Sequence, residues 1–301
     1  MRTNKLLATR DFTMDHVTHP IPKPGHHRLI DILSEHTSKE TKLSACRWFV
    51  EMMIDVFFKQ LITSSSSIKA YERMSLVNKI KSIRESGMHY GAIHIRMDEI
   101  RVAGNKGAHY NKRNIDDDEV KDIVRKCLEL FDLLLIDWFQ KNKFNKTENT
   151  ATIFSTLMPA VRVRVLKNFS KIGEINDNYD KALFHKLLLA LVKNDQKSEA
   201  IKFLNSAKKQ GELDESEFYF ELNSISIIDE KRNNELPVAK NLNDSKRNFE
   251  KVMSRLDPAD KRENKGLIEI IERLHDQINP SELGDSLGFQ KYAAGYFVSY
   301  I

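Results

Sequence analysis

Residues 116–139 read DDDEVKDIVRKCLELFDLLLIDWF. Val120, Ile123, Val124, Cys127, Phe131, Leu134, Leu135 and Trp138 follow one another at the three- and four-residue spacing that lays an apolar stripe along one face of an α-helix. Asp116 and Glu119 stand at its start, and carboxylates are favourable at the positive end of a helix. The segment predicts one long helix with a buried face.

The same spacing recurs towards the N-terminus. Thr37-Ser38-Lys39-Glu40 has the form of a capping box. Leu43, Trp48, Phe49, Met52, Val56 and Phe57 then give a first helix its stripe. Ser64 to Ser67 are read as a polar loop. Leu76, Val77 and Ile80 mark a second, short helix over 75–82 that ends at Gly87, and Ile93, Met97 and Ile100 a third over 92–102. Gly104-Asn105-Lys106-Gly107-Ala108-His109, with two glycines, reads as a helix-ending loop. Together these elements predict a compact helical bundle over residues 29–142.

Before the bundle, Pro20, Pro22 and Pro24 each disfavour helix at the preceding residue, so residues 1–28 are read as an extended arm. His16, His19, His26 and His27 lie in or beside it without a cysteine, and are read as part of a polar arm rather than a metal site. After the bundle, the polar stretch QKNKFNKTENTAT (140–152) marks a boundary, with a linker at 143–152 and a C-terminal helical domain over 153–301. Within that domain, 182–192 and 198–207 read as two helices around Lys193-Asn194-Asp195-Gln196, stopped by Gly211. This hairpin resembles one unit of a tetratricopeptide or related solenoid, although three copies are not found. Residues 244–256 and 258–278 predict two further helices. Residues 288–301 form an aromatic tail with Phe289, Tyr292, Tyr296, Phe297 and Tyr300.

Composition agrees with helices throughout. Hydrophobic residues make up 41% and charged residues 30%, enough apolar material for a core and far from a disordered chain. Gly (11) and Pro (7) are too scarce for the many turns of a sandwich or barrel. The expected fold class is all-α, more than half helix and with no sheet larger than a hairpin. Cys46 and Cys127 fall in apolar helical runs and read as small buried side chains, not as a disulfide framework or metal ligands. No stretch approaches the roughly 18 apolar residues of a membrane span, and no apolar leader follows Arg2, Lys5 and Arg10. The expectation is a soluble cytoplasmic protein that does not meet a membrane. The net charge of +5 lies in the first half, where 25 Lys+Arg face 20 Asp+Glu, against 23 and 23 in residues 151–301. That excess is weaker than the signature of a dedicated nucleic-acid binder. No Walker-type loop, His-Glu-x-x-His or Gly-x-Ser-x-Gly pattern is present, so neither a cofactor nor a metal is expected.

The stretch from Lys42 to Trp138 nevertheless resembles the HEPN superfamily, and within it the domain of unknown function family numbered 4145. The resemblance rests on KLSACRWFVEMMIDVFF (42–58), LVNKIKSIRESG (76–87), MDEIRVAGNKGAH (97–109) and the acidic helix start at Asp116. It covers about a third of the chain, and its most specific part is Ile100-Arg101 followed by Gly104-Asn105 and Ala108-His109. Members of that family often stand beside restriction and anti-phage genes. The resemblance implies a four- or five-helix bundle that pairs into homodimers.

Active HEPN ribonucleases use an Arg, a following polar residue and a His four to six residues beyond the Arg. The chemistry is metal-free: the His moves a proton at the ribose 2′-OH and the Arg stabilises charge on the phosphate. By resemblance the corresponding residues are Arg101, Asn105 and His109. The residue before Asn105 is Gly104 and not Arg, and seven residues separate Arg101 from His109. The other reading makes the glycines a sharp turn, Asn105 its cap and His109 a brace on a nearby carbonyl. Lys106, Lys112 and Arg113 stand in a run, residues 101–115, without an acidic residue, and are candidates for binding nucleic-acid phosphates. Three functions compete. The first is a non-catalytic module of a bacterial defence system that contacts RNA, DNA or a protein partner from the same operon. The second is a ribonuclease toxin, and the third a helical adaptor acting through its C-terminal half.

Overall fold

A computed structural model describes residues 19–86, 91–108, 115–233 and 235–276. Every regular element among them is helical, so the all-α expectation holds. Helix α1 spans His26–Leu33 and follows a 3-10 turn at Lys23–Gly25. The extended arm expected through residue 28 therefore gives way to helix at its end. Leu29 and Ile32, three residues apart, are fully buried, and burial of that pair overrides the local proline signal.

Helix α2 (Lys39–Phe57) is capped by Ser38, whose hydroxyl accepts from the Thr41 amide at 3.2 Å. The cap sits one residue later than the Thr37 box predicts. Helices α3 (Lys59–Ser65), α4 (Ile68–Arg73) and α5 (Leu76–Glu85) follow. The serine run is not one loop: α3 continues through Ser65 because the Ser64 hydroxyl bonds back to the Leu61 carbonyl at 2.7 Å, and Ser67 caps α4.

Helix α6 (Gly91–Ala108) lies at the centre of the bundle and, over residues 104–108, corrects the reading of this stretch as a loop. Gly104 and Gly107 are helical and face α2. A Cβ at Gly104 would come 2.3 Å from Arg47 Cβ, and one at Gly107 would come 2.4 Å from the Glu40 carbonyl oxygen. Glycine in a helix interior costs about 1 kcal/mol relative to alanine. Here that cost is offset by the close approach of α2 and α6, which buries Leu43, Cys46, Phe49 and Val50 on one side and Ile93, Met97 and Ile100 on the other. The glycines serve packing between helices, not a turn.

The stripe at 116–139 forms two helices, α7 (Asp117–Leu128) and α8 (Leu130–Asn142), with Glu129 as the joint. Helix α7 buries one face, whereas in α8 Leu130, Phe131, Leu134, Leu135, Ile136, Trp138 and Phe139 are buried all round. Cys127 lies against the Cys46 carbonyl, and both thiols are free and buried, as expected.

The polar stretch at 143–152 is anchored at both ends. Phe144 stacks on Phe139 at 3.7 Å between centroids. The Thr150 hydroxyl donates to Asn264 Oδ1 at 2.6 Å, and helix α9 spans Thr150–Phe154. Helix α10 (Pro159–Lys167) packs on α8 and is tied to it by an ion pair between half-buried Arg164 and buried Asp132. His19 Nδ1 lies 3.9 Å from the same carboxylate, but burial and the Arg164 charge hold this histidine neutral, so the contact is not an ion pair.

Helices α11 (Asn178–Lys193) and α12 (Lys197–Lys209) form the expected hairpin, with Asp195 left-handed at the turn and Gly211 at φ +75° after the stop. Helix α13 (Glu215–Lys231), a segment left unassigned from the sequence, packs on both. Its apolar residues occupy both faces: Phe218, Leu222, Ile225 and Ile228 pack against the core, whereas Tyr219, Phe220 and Ile227 face outward. Helices α14 (Leu242–Met253), α15 (Pro258–Glu263) and α16 (Lys265–His275) complete the described chain. The helix expected over 258–278 is split at Asn264, whose side chain bonds Thr147 and the Asp260 carbonyl. The aromatic tail at 288–301 and His16 lie outside the described residues.

Candidate functional site

The residues singled out by sequence lie on α6, whose two ends are fixed by different means. At its start, the Asp137 carboxylate of α8 accepts from the Ile93 amide at 3.0 Å, so a buried side chain from a distant helix satisfies the free amides. Burial pushes the Asp137 carboxyl up, and the amides of Ile93 and Ala92 pull it back. At the other end, the Gly104 and Gly107 contacts with α2 set the height and rotation of the helix.

Because α6 remains helical through Ala108, Arg101 and Asn105 stand one turn apart along one edge. Arg101 is directed back along the helix, with Nε 2.7 Å from Asp98 Oδ1, and its side chain is 19% exposed. Asn105 is half-buried. Lys106 forms an ion pair with Glu119 at the start of α7. Arg96, the remaining cation of the helix, lies 3.4 Å from Glu99 and 3.6 Å from Glu129. Every Lys and Arg of α6 therefore rests on a carboxylate. His109, Lys112 and Arg113 lie outside the described residues.

A cleft of about 640 Å³ opens beside this edge, between α5, α6 and α7. Val77, Ile80, Ile95, Val102 and Ile123 supply its apolar lining. Three of these are exposed although large and apolar: Val77 (46%), Ile95 (55%) and Val102 (46%). The rim mixes signs, with Lys81, Arg84 and Lys106 against Asp98, Glu99 and Glu119. Sequence reading missed this surface. The signal was present in α6, where Ile95 and Val102 stand two turns apart on the face opposite Ile93, Met97 and Ile100. Among the described residues no cluster of three or more metal-ligating side chains occurs, and no helix is long and apolar enough to cross a membrane.

No curated protein and no solved structure matches the chain. Residues 33–153, from the last residue of α1 into α9 and including all of the cleft, match the family model described as Domain of unknown function (DUF4145).

Proposed function

We propose that this chain is a non-catalytic, HEPN-like helical module of a bacterial defence system, and that it pairs with a second copy of itself through the α5–α6–α7 cleft. One observation carries the reading: Val77, Ile95 and Val102 expose an apolar strip in the cleft, while each cation of α6 is already neutralised by a carboxylate. An apolar strip favours a protein surface over a phosphate backbone. The rim of mixed sign suits a two-fold contact, in which each acidic residue can meet a basic one of the other copy. The HEPN resemblance of residues 42–138 supplies the homodimer and the defence setting. Helices α10–α13 are read as a solenoid-type stack appended to the pairing module. Light scattering is expected to give twice the 34.9 kDa chain mass for the wild type and the single mass for Val102→Asp, with unchanged melting. A wild type that stays at 34.9 kDa at micromolar concentration contradicts the reading.

A second reading, a metal-independent ribonuclease using Arg101, Asn105 and His109, is favoured by the continuity of α6, which sets Arg101 and Asn105 on one edge. It requires Arg101 to exchange Asp98 for a substrate phosphate. RNA cleavage by the wild type that disappears in His109→Ala would establish it. A wild type inert on varied RNAs would end it.

A further inference from the structure

Helix α10 carries Val161-Arg162-Val163-Arg164-Val165, and its two arginines differ in surroundings. Arg164 is paired with Asp132. Arg162 is only 6% exposed, its Nε meets no acceptor, and no carboxylate pairs with it among the described residues. Two lysines of α11, Lys186 and Lys193, stand seven residues apart on one face, half-buried, and neither has a carboxylate partner among the described residues. The three cations feel one another. Burial lowers Arg162 to about 10, and burial with the charges of Arg162 and Lys186 lowers Lys193 to about 8. Lys186 is lowered by burial and by Arg162.

Carboxylates are not scarce nearby. Lys167 of α10 pairs with Glu199, and Lys181 of α11 with Glu217. Three like charges on two packed helices, one buried and two half-buried, with no counter-charge among the described residues, are costly, and an anion held among them removes that cost. A carboxylate would neutralise one. A phosphate group offers up to two negative charges and several acceptor oxygens, which suits a planar guanidinium fork flanked by two ammonium point charges. We infer that Arg162, Lys186 and Lys193 form a binding site for a phosphate group, carried by a nucleotide or by a nucleic-acid backbone. The site lies on the C-terminal helices and does not rest on the pairing proposed for α5 and α6.

The test uses the full chain. Melting temperature and calorimetric binding are measured with inorganic phosphate, a mononucleotide and a single-stranded RNA oligonucleotide, against chloride at matched ionic strength. Wild type is expected to melt higher with millimolar phosphate, by the amount ligand linkage gives. The double variant Lys186→Gln/Lys193→Gln, altered only at half-buried positions, should lose that shift while keeping its helical circular dichroism. A mononucleotide that binds as tightly as the oligonucleotide identifies a nucleotide site. Tighter oligonucleotide binding with a steep salt dependence identifies a backbone site. Because Lys193 loses its proton near pH 8, wild-type affinity should fall above that pH, by up to tenfold per unit. Lys193→Arg keeps its charge and should abolish the decline. No phosphate-specific shift in the wild type, or the same shift in the double variant, overturns the inference.

Discussion

Two regions of this molecule treat positive charge in opposite ways. On α6, in the N-terminal bundle, Arg96, Arg101 and Lys106 each reach a carboxylate within the helix or on α7. On α10 and α11, buried Arg162 and half-buried Lys186 and Lys193 have none among the described residues. Arg101 and Lys106, the motif cations among the described residues, are already neutralised. Those embedded in ordinary apolar helix sequence carry an unbalanced field, and an unbalanced buried charge is the stronger pointer to a ligand.

The largest effect expected from this contrast is at the paired member of α10. Arg164→Met leaves Asp132, 3% exposed, without its counter-charge, and should destabilise by about 3–5 kcal/mol in chemical denaturation. Little change would mean that the pair does not hold α8 to α10.

Next comes the packing that sets α6. Gly107→Ala would raise helix propensity by about 1 kcal/mol at an uncrowded site. Here the added methyl meets the Glu40 carbonyl, and a net loss of about 2 kcal/mol is expected from melting curves. A gain in stability would return residues 104–107 to the role of a simple turn.

The unpaired region should respond to pH in the opposite sense from an ordinary ion pair. Lys193 is lowered from 10.5 to about 8, so between those values the unfolded chain binds its proton and the folded chain does not. Stability in anion-free buffer should therefore rise as pH increases from about 8 towards 10.5, by about 1 kcal/mol once solvent screening of a half-buried group is allowed for. Flat stability across that window would mean that the lysine is paired.

The smallest effect is the most pointed. Arg162→Met, two residues from Arg164, removes an unpaired charge and should stabilise the anion-free protein by about 1 kcal/mol. Two arginines of one helix would then give shifts of opposite sign. A loss at both positions would show that Arg162 has found an acceptor.

Much of this architecture was legible in the sequence. The stripes of α2, α5, α6 and α7, the α11–α12 hairpin and the Gly211 stop all follow from three-to-four spacing and terminal residues. What failed did so for identifiable reasons. Gly104 and Gly107 carry the same letters whether they bend the chain or admit a neighbouring helix, and only the position of Glu40 and Arg47 decides. Helix α13 was missed because its apolar residues lie on both faces, with Phe218, Leu222, Ile225 and Ile228 against the core and Tyr219, Phe220 and Ile227 outward, which blurs the stripe. Of the candidate site, Arg101 and Asn105 come to share an edge only because α6 continues where the glycines read as a loop. The carboxylate partner of Arg101, Asp98, became informative only through the direction of the Arg101 side chain. Arg162 left no mark, since an Arg between two valines reads the same paired or unpaired.

Two exposed apolar surfaces remain to be told apart: Val77, Ile95 and Val102 at the α5–α6 cleft, and Tyr219, Phe220 and Ile227 on α13. Self-pairing through the cleft predicts protection of the first, whereas an adaptor working through its C-terminal half would use the second. Hydrogen exchange of the protein alone, measured at high and low concentration, compares them directly. Peptides from 76–85 and 91–108 are expected to slow their exchange as concentration rises, with 215–231 unchanged. Concentration-independent exchange in α5 and α6, or protection confined to α13, would contradict the pairing surface proposed for this chain.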